Sequence, residues 1–188
     1  MGVKLFEDLI SDAWRLERVG SYWSVEEHAE NSNNKKVLIG GCSAIAFSLD
    51  RGGVDPIPFI RENCPLPGIR SVCDAMIVLN HEGKTYFCAM DLKSNKEGGA
   101  SKQIEIARLL FQWLLSLACF NKHWPTEKFE DCFFGVINFA PRQQVRKGVT
   151  QRSAEIPEPE KSAHGDYKIF RLRNHPRIPL PLLINRLG

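Results

Sequence analysis

Apolar residues recur every three or four positions through residues 4–19, a spacing typical of an amphipathic helix. A second helix is predicted over residues 101–120, which contain no proline or glycine and are rich in Leu, Ile and Ala. Because this second segment is apolar nearly all round after its first turn, we expect it to be mostly buried, with Phe111 and Trp113 in the core. The pattern therefore indicates two helices separated by a long middle segment.

Shorter apolar runs predict the strands. The run at 36–50 contains a bend at Gly40-Gly41, and the run at 131–141 ends at a proline and suits a strand buried on both faces. Further strands are predicted at 72–79, 85–93 and 167–173. Polar or proline-rich loops are expected at 24–36, 51–68 and 142–166, followed by an irregular tail. The predicted order is helix, three strands, helix, strand, with one more strand appended.

Composition favours a single soluble α/β domain that spans residues 1–188. The chain is 43% hydrophobic and 25% charged, which is ordinary for a globular protein. No apolar run is long enough to suggest a membrane span, and the N-terminus carries acids where a secretory signal has none. The six cysteines form no CxxC pair and lie mostly in apolar runs. We therefore expect a cytoplasmic protein with reduced, buried thiols and no membrane contact.

The net charge of +3 is unevenly distributed along the chain. Residues 142–188 contain ten Lys and Arg against four Asp and Glu, whereas residues 1–141 are slightly acidic. A basic, loop-rich C-terminal extension on a near-neutral body is typical of a protein that binds a polyanion. A solvated basic surface without a ligand is equally compatible with the charge alone.

Two acids, Asp74 and Asp91, lie in the apolar runs at 72–79 and 85–93. If these runs form a hairpin with Glu82-Gly83 at its turn, the two acids lie directly opposite each other, with Cβ atoms roughly 5 Å apart. Lys93, two residues beyond Asp91, then points to the same face. A slip of one residue in the register would place the acids on opposite faces.

Two facing carboxylates in an apolar sheet repel each other, and a divalent cation resolves that repulsion. Mg²⁺ and Mn²⁺ bind one or two carboxylates together with waters and phosphate oxygens. A lysine next to such an ion adds positive charge or orients the attacking water. The set of Asp74, Asp91 and Lys93 thus indicates a metal-dependent phosphodiesterase. Alternatively, the acids lie at strand ends and pair with nearby Lys or Arg.

The stretches "CDAMIVL" and "YFCAMDLKS" resemble the two motifs of the PD-(D/E)XK nuclease superfamily, the restriction-endonuclease-like proteins. The resemblance covers residues 2–140 and implies a core of order α-β-β-β-α-β, with a mixed central sheet flanked by helices. Asp74 matches the first motif acid, and Asp91-Leu92-Lys93 matches the second motif. The chain departs from the usual pattern in having Cys73 where proline is common and Asp91 where glutamate is commoner.

The resemblance also implies roles for individual residues. Asp74, Asp91 and the carbonyl of Leu92 would bind Mg²⁺ or Mn²⁺, and Lys93 would activate the nucleophile. Glu7 in "GVKLFEDLI" matches a helix glutamate that assists the metal, and Gln103 in "GGASKQI" matches a polar residue that positions water or phosphate. Alternatively, Glu7 belongs to a solvated helix face, and Gln103 only begins the second helix.

The predicted function is accordingly a Mg²⁺-dependent nuclease that hydrolyses phosphodiester bonds, in DNA rather than RNA, within a defence or mobile-element system. Four basic residues are candidates for gripping the nucleic acid: Lys102, Arg142, Arg146 and Lys147. Two alternatives remain, a catalytically degenerate subunit that binds nucleic acid or a protein partner, and an RNA-cleaving effector. The protein could act as a homodimer or as one subunit of a larger complex under any of these functions.

Overall fold

The protein, represented by a computed structural model, is described over residues 2–27, 35–50, 54–55, 57–66, 68–94, 98–120, 129–140 and 155–188. In chain order its elements are α1 (Gly2–Leu9), β1 (Glu17–Val19), β2 (Tyr22–Glu26), β3 (Lys36–Gly40), β4 (Ser43–Phe47), β5 (Ala75–His81), β6 (Lys84–Lys93), α2 (Ala100–Phe120), β7 (Phe133–Phe139), β8 (Glu160–Lys161), β9 (Lys168–Arg173), β10 (Arg177–Pro179) and α3 (Leu180–Ile184). These elements make a mixed α/β fold with two mixed sheets.

The larger sheet has six strands in the order β4-β5-β6-β7-β9-β8. Strands β4, β5 and β6 are antiparallel to one another, whereas β7 is parallel to both β6 and β9. Helix α2 makes the crossover between the parallel strands β6 and β7, as such a connection requires. Around this sheet the chain follows the order helix, three strands, helix, strand that the sequence pattern predicts.

A second sheet of four strands has the order β1-β2-β3-β10. Strands β3 and β4 continue one apolar run but belong to different sheets, and the change occurs at Gly40 and Gly41. A Cβ on Gly40 would lie 2.6 Å from the carbonyl oxygen of Ser21, so only glycine fits this close approach. The sequence correctly places a bend here but does not show that the bend joins two sheets.

Two apolar clusters hold the layers together, one on each face of the six-stranded sheet. The first lies between that sheet and the helices α1 and α2, and it includes Phe6, Phe87 and Phe111. The second lies between the two sheets and includes the buried residues of α3. Along β6, Phe87, Ala89, Asp91 and Lys93 share a face because side chains alternate in a strand. Asp91 and Lys93 therefore point to the helix side of the sheet.

Several sequence predictions for the flanking segments are wrong. The first helix ends at Leu9 rather than near residue 19, and the following residues form β1. The segment 24–36, predicted as a loop, contains the end of β2 and the start of β3. The C-terminal tail, predicted as irregular, contains β10 and α3.

Helix α2 has the predicted bounds but not the predicted burial. Phe111 is fully buried, whereas Trp113 is 59% exposed, so the prediction that both are core residues is wrong for Trp113. By length and composition alone α2 is apolar enough to cross a membrane, so the prediction that no apolar run is long enough is wrong for this segment. Its buried stripe, which includes Ile104 and Phe111, packs on the sheet as in a core helix.

Candidate metal and catalytic site

The hairpin of β5 and β6 places two carboxyl groups side by side. Its register pairs Ala75 with Met90 and continues to the turn, as the sequence predicts. Glu82 and Gly83 both have positive φ, 49° and 80°, which is the geometry of a two-residue type I′ turn. Asp74 directly precedes β5, so the same register places it opposite Asp91 on the helix side of the sheet.

Both carboxyl groups are withdrawn from solvent. Asp74 is 5% exposed and Asp91 is 0% exposed. Asp74 Oδ2 accepts a hydrogen bond of 2.5 Å from the backbone N–H of Leu92. The described polar neighbours of the Asp91 carboxyl group are only two, Lys93, whose Nζ lies 2.7 Å from Oδ2, and the carboxyl group of Asp74, and neither makes a hydrogen bond of good geometry with it. A buried carboxylate with so few partners is unusual and suggests a missing ligand.

The electrostatics of the pair agree with this geometry. Burial raises the pKa of Asp74 well above its usual value, and the neighbouring charge of Asp91 raises it further. Burial also raises the pKa of Asp91 to about 6, although the ammonium of Lys93 opposes the shift. The negative charge of Asp91 thus disfavours the ionisation of Asp74, whereas the hydrogen-bonding contact with the Asp74 carboxyl group lowers the pKa of Asp91.

Lys93 and Gln103 connect the pair to helix α2. Lys93 Nζ donates a hydrogen bond of 2.9 Å to Gln103 Oε1. Gln103 Nε2 in turn donates to the carbonyl oxygen of Val72 at 2.8 Å. The ammonium of Lys93 is thus held between Asp91 and Gln103. Gln103 also fastens α2 to the segment that leads into Asp74.

Two further acids, Glu27 and Asp50, join Asp74. Each of the three residues offers a carboxylate oxygen that lies within 4.8 Å of the oxygens offered by the others. Glu27 follows β2, and its N–H donates to the carbonyl of Lys35 at 3.1 Å. Asp50 follows β4, where its N–H donates to Ser48 Oγ at 3.0 Å. Asp91 is not one of these three acids, but the hairpin register places it opposite Asp74. We call Glu27, Asp50, Asp74 and Asp91 the acid group.

Sequence reasoning missed Glu27 and Asp50. Both residues lie just beyond a strand, and neither occurs in a motif with Asp74 or Asp91. The only local signal is that each acid ends an apolar or β-branched run. Asp50 approaches Asp74 because β4 pairs with β5, and Glu27 does so because the four-stranded sheet packs against the six-stranded one; the sequence pattern specifies neither contact.

The remaining predicted site residues are spread more widely. Glu7 is exposed on α1, where Arg15 donates to its carbonyl oxygen, and it does not belong to the acid group. Lys102 is exposed on α2 beside Gln103. Leu92 gives its N–H to Asp74, while the metal-binding role of its carbonyl stays a prediction. Arg142, Arg146 and Lys147 lie outside the described residues.

The donor set of the acid group suits a hard divalent cation. Glu27, Asp50 and Asp74 offer carboxylate oxygens close enough together to bind one ion, oxygen being the ligand that Mg²⁺ and Mn²⁺ prefer, and Asp91 faces Asp74 beside them. A cation bound by these three acids would offset the repulsion between the carboxylates of Asp74 and Asp91. The residues present therefore fit Mg²⁺ or Mn²⁺.

No family model matches the chain, and no curated protein and no solved structure matches it either. Nothing known of another protein can therefore be transferred to these residues through a relative. The function of the acid group has to be inferred from its own geometry and charge.

Proposed function

We propose that this protein is a metal-dependent nuclease that hydrolyses phosphodiester bonds, with DNA as the preferred substrate. The observation that carries the proposal is the buried, poorly hydrogen-bonded carboxylate of Asp91, which faces Asp74 and is paired with Lys93. A fold gains nothing in stability from such an arrangement in the absence of a cation. Perturbed, coupled carboxyl groups of this kind are typical of functional sites.

The order and direction of the strands support the proposal. Strands β4, β5 and β6 form an antiparallel meander, α2 crosses over, and β7 pairs with β6 in parallel. The acid pair lies at the second and third strands of this unit, with Asp74 directly before β5 and Asp91 near the end of β6. That is the arrangement implied by the resemblance to the PD-(D/E)XK nucleases, and we propose a restriction-endonuclease-like core on this basis.

Asp74 and Asp91 would hold the metal, with Glu27, Asp50 or the Leu92 carbonyl completing the protein ligands. A Mg²⁺ or Mn²⁺ ion bound there supplies an acidified water and stabilises negative charge on the phosphoryl oxygens. Both acids would bind the metal in their ionised form, because the charge of the cation offsets the burial that raises both pKa values.

Lys93 supplies the positive charge that the chain itself contributes to the reaction. Its ammonium lies at the margin of the acid group, where it can donate to an attacking water or to a phosphate oxygen. The contacts with Asp91 and Gln103 fix its position before substrate arrives. Gln103 is thus a positioning residue that acts through Lys93.

Cleavage assays test the proposal. Labelled double-stranded DNA, single-stranded DNA and RNA are incubated with Mg²⁺, with Mn²⁺ and with EDTA. Asp91→Ala and Lys93→Ala are compared with Asp8→Ala and Lys4→Ala, which disrupt an Asp–Lys pair of similar N–O distance on the exposed face of α1. We expect metal-dependent cleavage that falls by at least about 10²-fold in the first two variants and is unchanged in the controls.

The outcomes separate the candidate functions. Cleavage that survives Asp91→Ala would contradict the proposed site. No cleavage of any nucleic acid, together with no Mn²⁺ binding by calorimetry, would favour the catalytically degenerate binding subunit. Preference for RNA would keep the site and change the substrate, because the acid group acts on the phosphate and not on the base.

A comparison of Glu27→Gln with Glu7→Gln decides which glutamate assists the metal. Because Glu27 belongs to the acid group and Glu7 is exposed on α1, we expect only Glu27→Gln to weaken Mn²⁺ binding, by about tenfold. Equal losses in the two variants would restore the role that the sequence assigns to Glu7.

A further inference from the structure

The helix-side face of the six-stranded sheet continues beyond the acid group to β9, which carries two arginines there. The strand register places Asp91 beside Ile137 and Ile137 beside Arg171. The next row places Lys93 beside Phe139 and Phe139 beside Arg173. Each arginine therefore lies two strands away from a residue of the proposed catalytic site.

All members of these two rows lie near the carboxyl ends of three parallel strands, β6, β7 and β9. Neighbouring strands are about 4.8 Å apart, so the Cα atoms of Lys93 and Arg173 are separated by about 10 Å. Ligands of open α/β sheets bind at the carboxyl ends of the strands. A long side chain on β9 can thus reach a group bound beside Lys93.

The two arginines point in different directions. The guanidinium of Arg173 lies over the ring of Phe139 on β7, 5.1 Å from its centroid, and its Nη1 donates to the carbonyl oxygen of Ala140 at 3.3 Å. Arg173 therefore leans toward β6 and the acid group. Arg171 instead forms an ion pair of 2.7 Å with Glu160 on β8, on the far side of β9. Arg173 is the arginine that faces the proposed site.

The geometry points to Arg173 as the residue that binds the backbone phosphate next to the scissile one, an inference that rests on the proposed nuclease function. The nucleic acid strand would cross the carboxyl ends of β6, β7 and β9, with its scissile phosphate at the acid group and Lys93. Phe139 contacts one face of the guanidinium, and Ala140 takes a hydrogen bond from Nη1, so the remaining N–H groups would bind the phosphate oxygens. Arginine binds phosphate through two parallel hydrogen bonds, a geometry that lysine cannot reproduce.

Contacts to a flanking phosphate position a substrate without reading its sequence. Arg173 is expected to contribute to substrate binding more than to the chemical step. Its loss should raise KM and weaken the salt dependence of binding, because one fewer counterion is released.

The test uses the shortest oligonucleotide that the wild type cleaves at one position. Arg173→Gln and Arg173→Lys are compared with Arg177→Gln, a matched control. Arg177 also stacks on an aromatic ring, that of Tyr22 at 4.2 Å, but it belongs to β10 in the other sheet. We expect Arg173→Gln to raise KM about tenfold with kcat changed less than threefold, Arg173→Lys to be intermediate, and the control to behave as wild type.

A substrate modification identifies the phosphate. A neutral methylphosphonate is placed in turn at each position that flanks the cleaved bond. At one position the methylphosphonate should raise the KM of the wild type about as much as Arg173→Gln does. At that position it should not raise the KM of Arg173→Gln any further. A purely structural role for Arg173 would not make the loss depend on one substrate phosphate.

Two results would overturn the role of Arg173 and leave the proposed nuclease function intact. In the first, the effects of Arg173→Gln and of the methylphosphonate on KM add fully at every flanking position. In the second, Arg173→Gln and Arg177→Gln have equal kinetics while the wild type cleaves. If the wild type cleaves no nucleic acid, the proposed function fails and the role of Arg173 fails with it. Thermal melts of all variants show whether a change reflects folding. If Arg173→Gln does not fold, Arg173→Lys and the methylphosphonate series on the wild type still decide the question.

Discussion

At the residue scale, the buried carboxylates of the acid group suit metal binding but destabilise the metal-free fold. Asp74 and Asp91 are buried beside each other, and apart from one another their described polar contacts are one backbone N–H and one ammonium. The free-energy cost of removing two like charges from water exceeds the stabilisation that those contacts provide, and both pKa values are therefore raised. The metal-free protein therefore holds its site at the expense of folding free energy.

Removing one of these charges should stabilise the metal-free protein. In Asp74→Asn the amide oxygen can still accept the Leu92 N–H, and the amide nitrogen can donate to Asp91. We expect the free energy of unfolding in EDTA at pH 7.5 to rise by about 1–2 kcal/mol, equivalent to several degrees in Tm. Thermal melts with EDTA and with Mn²⁺ measure the effect.

The same variant should lose the stabilisation that a metal gives. Saturating Mn²⁺ is expected to raise the Tm of the wild type but not that of Asp74→Asn. Asp8→Asn, at an exposed carboxylate, serves as the control and should match the wild type in both buffers. A lower Tm for Asp74→Asn in EDTA would show that the Asp74 carboxylate is structural.

The sequence predicts Asp74, Asp91 and Lys93 as neighbours because a short turn fixes the register of a hairpin by local geometry. Asp50 reaches the same place because β4 pairs with β5, and Glu27 reaches it through contact between the two sheets, so no count along the chain finds them. Glu7 fits the pattern of a family motif, yet the structure places Glu27 beside Asp74. Local rules thus identify the centre of the candidate site and miss the residues that complete it.

At the element scale, the turn between β5 and β6 determines whether the acids meet. A slip of one residue would turn Asp91 toward the sheet-to-sheet core and leave Asp74 alone on the helix side. Glu82 occupies the first turn position with φ of 49°, a conformation that costs energy for a residue with a Cβ. The turn keeps its register despite this cost.

Glu82→Asn should therefore stabilise the fold, because Asn-Gly is the preferred pair for a type I′ turn. The Glu82 side chain is largely exposed, and its contact with His81 Nε2 is long at 3.9 Å, so little is lost. We expect a gain of about 0.5–1 kcal/mol, measured by urea unfolding, with unchanged metal binding. Gly83→Ala, at φ of 80°, should destabilise the same turn. Destabilisation by Glu82→Asn would show that Glu82 makes a contact of its own.

Other elements show where local pattern fails. The helical spacing of residues 4–19 continues past Leu9, but Glu17–Val19 pair with β2 as a strand, and the Arg15 side chain donates to the carbonyl of Ile10 at 2.8 Å just beyond the helix end. Pairing with the next strand, in a hairpin that turns at Gly20 and Ser21, overrides the local helical pattern here. In α2 the apolar pattern predicts the helix correctly, but it does not tell which apolar stripe packs on the sheet.

At the scale of the whole molecule, the C-terminal residues complete both layers of the fold. Strand β9 extends the large sheet beside β7, and β10 pairs in parallel with β3 in the small sheet. Four apolar side chains that follow residue 176 are buried between the sheets: Ile178, Leu180, Leu183 and Ile184. The segment read from sequence as a tail is thus part of the core, because its few apolar residues are too short a run to show any period.

A chain that ends at residue 176 should not fold. Each of the four buried side chains contributes about 1.5–3 kcal/mol, so their combined loss approaches the whole stability of an ordinary domain. On the full-length chain, Leu183→Ala should cost about 2–5 kcal/mol, whereas Leu182→Ala, whose side chain is 52% exposed, should cost less than about 1 kcal/mol. Circular dichroism and urea unfolding measure all three proteins. A cooperative unfolding transition in the shortened chain, or equal losses of stability in the two leucine variants, would show that β10 and α3 are dispensable. If the shortened chain is unfolded and only Leu183→Ala loses stability, the small sheet depends on the C-terminal residues. The strand that leads to Glu27 belongs to that sheet and would depend on them too.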